Sequence, residues 1–250
     1  MLDSRVLGVG LAGPGGWTRG VGVGVVSVQG YEFEPGFVLD HLPELGEGLL
    51  RTLAISAVGM AGALVVGVVL GAVSALRVPV LRQVVQVYVE VFRNTPLLVQ
   101  IFFLYFALPD VGLQLSGFTV GWLSLLLWGG AYNVENFRAG FEAVEHGYVE
   151  ACRALGFSAL SAFRQTNLPL GTRIALPSVT NILISVFKNS SFMIAISYPE
   201  LTETAVGIVA VSFRVFEMFL AIGIIYLGLV WLMSLGTGAV ERRFAIPGGH

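Results

Sequence analysis

EACRALGFSALSAFRQTNLP, residues 150–169, is a charged and polar segment set between long apolar runs. Its approach reads as helix, because Val144, Tyr148, Ala151 and Leu155 recur at three- and four-residue steps within residues 141–162. Gly156 interrupts that periodicity. Ser158 is placed to cap a second short helix running to about Gln165, and Pro169 is expected to end it. Helix, glycine turn, short helix and proline make a compact protrusion. A segment that only connected two helices would be shorter. It would also not carry Ala151, Leu155, Phe157, Leu160 and Phe163 toward the surface. Such a knob on one side of a bilayer is suited to gripping a soluble partner.

The bilayer follows from composition. Of 250 residues, 55% are hydrophobic and only 12% charged, whereas soluble domains are about a quarter charged. Burying that much apolar surface in water needs a larger core than one domain of this size offers. A net charge of -2 argues against a nucleic-acid partner. The single cysteine, Cys152, cannot form an internal disulfide, and His41, His146 and His250 lie too far apart for metal-ligand spacing.

Crossing a bilayer takes about 20 apolar residues. The sequence supplies five candidate spans, over about 52–76, 83–108, 119–138, 174–196 and 215–237. The expected fold class is all-α, a polytopic membrane protein. Residues 51–240 form its transmembrane domain, 139–172 a cytoplasmic loop and 241–250 a cytoplasmic tail. Residues 1–50 are expected outside or at the interface, with 36–50 an interfacial helix. Residues 6–28 are apolar and glycine-rich, but Pro14 and Arg19 break them, so they make at most a degenerate extra span. They lack the basic start and cleavage site of a signal peptide.

Arginines set the orientation. Arg77, Arg82, Arg138, Arg153, Arg164, Arg173, Arg242 and Arg243 fall on one side, and Arg5, Arg19, Arg51 and Arg214 on the other. The richer side is read as cytoplasmic, giving an outer N-terminus and an inner C-terminus.

Within the spans, charges are costly and face a bundle interior or water. Glu90 with Arg93, and Glu135 with Arg138, are spaced to pair along a helix. Thr95-Pro96 reads as a cap followed by a first-turn proline, where a helix breaks or restarts. Lys188, the only lysine, lies 15 residues beyond Arg173, about 22 Å along a helix. It either snorkels outward or contacts a translocation cavity with Asn189 and Ser190. The run Phe102–Phe106 reads as lipid-facing or packing, and Gly59, Gly62, Gly67 and Gly71 as sites of close helix contact.

The loop now carries a resemblance. Glu150-Ala151-Cys152, then Gly156, then Thr166-Asn167-Leu168-Pro169 resembles the signature of ABC-importer permeases, with Cys152 where alanine is usual and Thr166 where an aliphatic residue is usual. Arg93-Asn94-Thr95-Pro96-Leu97-Leu98-Val99-Gln100, Phe187-Lys188-Asn189-Ser190-Ser191 and Glu200-Leu201-Thr202 resemble blocks of the permeases for polar amino acids, with Asn189 where aspartate is usual. The likeness covers about residues 45–240. It implies the type I ABC importer fold and a coupling helix docked on a cytoplasmic ATPase through Glu150, Ala151, Arg153, Ala154, Leu155, Gly156 and Phe157. It also implies a second permease subunit, two ATPase subunits and an extracytoplasmic binding protein. Candidate substrate-pathway residues are Arg93, Thr95, Glu135, Lys188, Asn189 and Ser190.

The chain has no Gly-x-x-x-x-Gly-Lys-Ser/Thr motif, so ATP is expected on the partner and this chain is expected to be no enzyme, with no cofactor of its own. The expected function is ATP-driven import of a polar amino acid, with glutamate, aspartate and glutamine favoured. The alternative is an ion-coupled secondary transporter of small polar solutes, which would usually show an internal repeat. None is visible here. A membrane enzyme would need a clustered reactive set that the scattered histidines do not supply.

Overall fold

The computed structural model describes residues 33–244, and among these every regular element is helical, joined by turns and short irregular connections. A short helix α1 (Pro35–Asp40) leads into α2 (Leu42–Ala75), followed by α3 (Leu81–Asn94) and α4 (Leu97–Phe102). The chain continues with α5 (Gly117–Glu142), α6 (His146–Ala154), α7 (Ala159–Ala162) and α8 (Leu168–Asn189). It ends with α9 (Leu201–Ser212) and α10 (Val215–Phe244). Residues 6–28, the candidate extra span, lie outside the described residues.

Among the described residues, three helical runs are long and apolar enough to cross a membrane: Leu42–Ala75, Ala159–Ile196 and Val215–Phe244. The bent pair of α3 with Leu97–Val111 would make a fourth. At the centre stands α5, 26 residues long and packed chiefly between α2 and α8. Its rise of about 1.5 Å per residue gives it spanning length, while Asn133, Glu135, Asn136 and Arg138 make its second half polar.

Small residues let these helices approach closely. A side chain at Gly59 would begin 2.8 Å from Leu125 Cβ, and one at Gly71 2.8 Å from Phe137 Cβ. The glycine stripe read from the sequence is therefore the α2–α5 contact. The membrane core nearest the α4–α5 junction gathers Ile55, Ile101, Leu125, Val186 and Met193. A second cluster joins Leu45, Leu201 and Met218 from α2, α9 and α10.

Four expectations need correction or refinement. First, the break expected at Thr95-Pro96 is present and sharp: α3 and the following helix meet at 104°, so 83–108 is not one continuous helix. The residue before proline is pushed out of the helical region, and Thr95 sits at φ -99°, ψ 129°. Pro96 is itself the cap position of α4 and Thr95 makes no side-chain cap. Second, Pro169 does not end a helix. Residues 163–167 form a π turn and α8 carries on through Pro169. A widened turn accommodates the missing N–H and the ring that would clash in a regular helix. Third, most of residues 36–50 belong to the first turns of α2 rather than to a separate interfacial helix. Fourth, the periodicity over 141–162 is broken at Ala143–Glu145, between α5 and α6.

Candidate functional site

The segment after α5 is built around its glycine. Helix α6 ends with Gly156 at φ +88°, where a Cβ would be strained. The Gly156 amide donates to the Arg153 carbonyl at 2.9 Å and the Phe157 amide to the Cys152 carbonyl at 3.1 Å. This is a Schellman closure, which satisfies the last carbonyls of α6 and reverses the chain. The Ser158 hydroxyl then accepts from the Ser161 amide and caps α7, as its position predicts.

The turn presents apolar side chains to the outside. Leu155 is 78% exposed, Leu160 64% and Tyr148 55%, and Phe157 is also exposed. Glu150, Ala151, Arg153 and Ala154 are exposed as well. Phe163 departs from expectation, being buried against Phe141 with ring centroids 5.3 Å apart. It roots the knob rather than belonging to its surface.

Two contacts tie the root of the knob to α5, and an ion-pair set within α5 stiffens the helix beside it. The Asn167 side-chain amide donates to the Phe141 carbonyl at 3.0 Å. Gly171 lies so close to α5 that a Cβ there would stand 2.7 Å from Phe141 Cα. Arg138 binds both Glu135 and Glu142, each at 2.7 Å, bracing the last turns of α5. The expected Glu135–Arg138 pair is thus present. Between this end of α5, Arg77, His146 and Asn167 lies a cavity of about 400 Å³.

The break at Thr95-Pro96 organises the second group of candidates. Glu90 and Arg93 form no ion pair; the Arg93 guanidinium instead lies over the Tyr132 ring, 4.9 Å from its centroid. Glu90, Arg93, Asn94 and Tyr132 line a polar pocket of about 240 Å³ with Val89. Lys188 is exposed in the single subunit, Asn189 is half-buried, and Ser190 is buried with its hydroxyl on the Phe187 carbonyl at 2.6 Å. The structure groups Arg93 with Glu90 and leaves Lys188 to a different helix end. No group of three or more potential metal ligands occurs among the described residues.

Residues 67–246 match the model of a family described as the inner membrane component of binding-protein-dependent transport systems. The chain belongs to this family.

Its relatives include the glutamine transport system permease protein GlnP of Escherichia coli strain K12, 35% identical over 86% of this chain and 99% of that protein. Another is the probable amino-acid ABC transporter permease protein PatM of Vibrio harveyi, 34% identical over 82% of this chain and 93% of that one. Among solved structures, an amino acid ABC transporter crystallised with histidines superposes with a TM-score of 0.78 at 29% identity, over 85% of this chain and 100% of that chain. The MetNI methionine ABC transporter in an inward-facing form superposes with a TM-score of 0.72 at 19% identity, over 83% of this chain and 99% of that one, a likeness of fold alone. The type I importer fold expected from the loop is the fold observed.

Three features of this permease escaped sequence reading. Gln100, buried in α4 just past the break, donates from Nε2 to the Phe92 and Thr95 carbonyls, both at 3.0 Å. It satisfies the end of α3 that proline leaves open. Its signal was a polar residue in the apolar run 96–108. Glu200 is buried and accepts from the Tyr226 hydroxyl at 3.0 Å and the Thr52 hydroxyl at 3.3 Å, and caps α9 at the Glu203 amide at 2.9 Å. Burial pushes its carboxyl above the ordinary range, against the pull of those donors. The partner of Arg93, Tyr132, had no local signal because the two lie 39 positions apart.

Proposed function

We propose that this permease is the membrane subunit of an ATP-driven ABC importer for a polar amino acid, with glutamine, glutamate or aspartate as the favoured substrates. The observation that carries the reading is the Gly156 knob, an apolar surface on a rigid turn anchored to α5 and α8. Its exposed Leu155, Phe157 and Leu160 would each be an unfavourable water contact unless a partner covered them.

The occupant is a cytoplasmic ATPase. Glu150, Ala151, Arg153, Ala154, Leu155, Gly156 and Phe157 form the contact, with the N-terminus outside and the C-terminus inside. Two permease subunits, identical or homologous, enclose the route, two ATPases drive it, and a binding protein delivers solute from outside. ATP binding closes the ATPase pair. The knob follows that movement, and Phe163, Asn167 and Gly171 pass it to α5 and α8 because they pack without slack. The route then switches between inward and outward access. Arg93, Thr95, Glu135, Lys188, Asn189 and Ser190 are the candidates for its polar lining. The permease binds no cofactor in this scheme.

The test is reconstitution in vesicles with the ATPase and binding protein of the same system. Uptake of labelled glutamine that requires ATP inside supports the reading. Uptake by the permease alone under an ion gradient would replace it with a secondary transporter.

A further inference from the structure

Helix α3 carries three distinct faces. At about 100° per residue, its side chains sort into separate arcs. Val85 and Val89 are buried against α5 and α2, with Tyr88 donating to the Leu127 carbonyl at 2.8 Å. Val84, Val87 and Val91 form a second arc, 61%, 61% and 50% exposed. Gln83, Gln86, Glu90 and Arg93 form the third, at steps of three and four, and all are exposed in the single subunit.

The valine arc suits lipid, but the polar arc does not. Ionisable side chains at membrane depth face a bundle interior or water. Two glutamines below Glu90 and Arg93 continue that polarity for two further turns. The arc ends at the pocket of about 240 Å³ formed with Asn94 and Tyr132. That volume is smaller than the roughly 300–1,000 Å³ of drug-sized sites, which fits a small solute.

We propose that this face of α3 is a wall of the water-filled route, and that Glu90 and Arg93 hold the two charged ends of a zwitterionic amino acid there. The proposal rests on the importer reading given above. The Arg93 fork offers paired donors that match a carboxylate. The Tyr132 ring beneath the guanidinium holds it without neutralising it, as a carboxylate partner would. Glu90, one turn earlier, supplies the acceptor for an ammonium group. The failure of Glu90 and Arg93 to pair with each other leaves both charges for the solute. The site therefore reads the backbone ends common to amino acids and leaves side-chain selection elsewhere.

The experiment uses the complete permease–ATPase complex in lipid nanodiscs, with Cys152→Ala removing the native thiol. Gln86→Cys and Val87→Cys are each treated with a charged, water-soluble methanethiosulfonate. Gln86→Cys is expected to react severalfold faster than Val87→Cys. Glutamine should slow that reaction and N-acetylglutamine, which lacks the ammonium, should not. Adding Arg93→Gln should abolish the protection by glutamine without changing the unprotected rate. Equal rates at the two cysteines would overturn the proposal, as would protection that survives Arg93→Gln. Disulfide-linked permease dimers through Gln86→Cys would assign the face to a subunit contact instead, and also overturn it. ATP-driven glutamine uptake by the wild-type complex is measured alongside. Its absence defeats the importer reading, whereas its presence with an unreactive Gln86→Cys defeats only the α3 lane.

Discussion

The Phe157 amide donates to the Cys152 carbonyl at 3.1 Å across a turn that only Gly156, at φ +88°, enters without strain. A Cβ at Gly156 would meet nothing within 4 Å, so any cost of substitution is conformational rather than steric. Gly156→Val should cost about 1–2 kcal/mol locally and disorder the end of α6. ATP hydrolysis by the assembled transporter should persist while uptake falls. Gly156→Asn, which tolerates a left-handed backbone better, should retain more uptake than the valine variant. Parallel ATPase and uptake assays check both.

Gly171 provides the second prediction. With a Cβ only 2.7 Å from Phe141 Cα, Gly171→Ala must push α8 off α5 at the root of the knob. Overpacking of this kind costs about 1–3 kcal/mol. A lowered unfolding midpoint of the detergent-purified permease, with uptake reduced in step, is the expected result.

Gln100→Leu tests the kink. The apolar replacement has similar bulk but strips the donor from the Phe92 and Thr95 carbonyls. Leaving such groups unsatisfied costs about 1–3 kcal/mol. Gln100→Glu, ionised, would place a negative charge against two carbonyls and should be worse. Thermal unfolding of the two variants ranks them.

Glu200 gives the permease a pH dependence. Burial raises its folded-state pKa, so the neutral acid is favoured in the fold. Its contribution to stability is present below the unfolded carboxylate value and is lost as pH rises through the raised folded value. Thermal midpoints should therefore decline over that window in the wild type. Glu200→Gln, which stays neutral, should flatten the decline; an unchanged slope would assign it to other groups.

Much of this architecture is legible in the sequence, for reasons that differ by residue. Gly156, Ser158 and the α2 glycines act within one or two turns of chain, or by their lack of a side chain. Spacing alone therefore exposes them. Pro96 announces a break but not its 104° angle, which depends on where α4 finds packing against α5. Pro169 misleads because a π turn at residues 163–167 absorbs it, a response made by backbone rather than by any residue type. Phe163 looked like surface because its periodicity matches Leu160, yet it turns inward onto Phe141. Glu90 and Arg93 fit a helical ion pair by spacing. The ring of Tyr132, supplied by another helix, competes for the guanidinium instead.

The most direct test of the central claim is sided labelling of the knob. Leu155→Cys, in the Cys152→Ala background, places a thiol at a site where leucine is 78% exposed. An impermeant maleimide should reach it in inside-out vesicles and not in intact cells, and the bound ATPase should shield it. Labelling from the outer face, or labelling indifferent to the ATPase, would contradict the account.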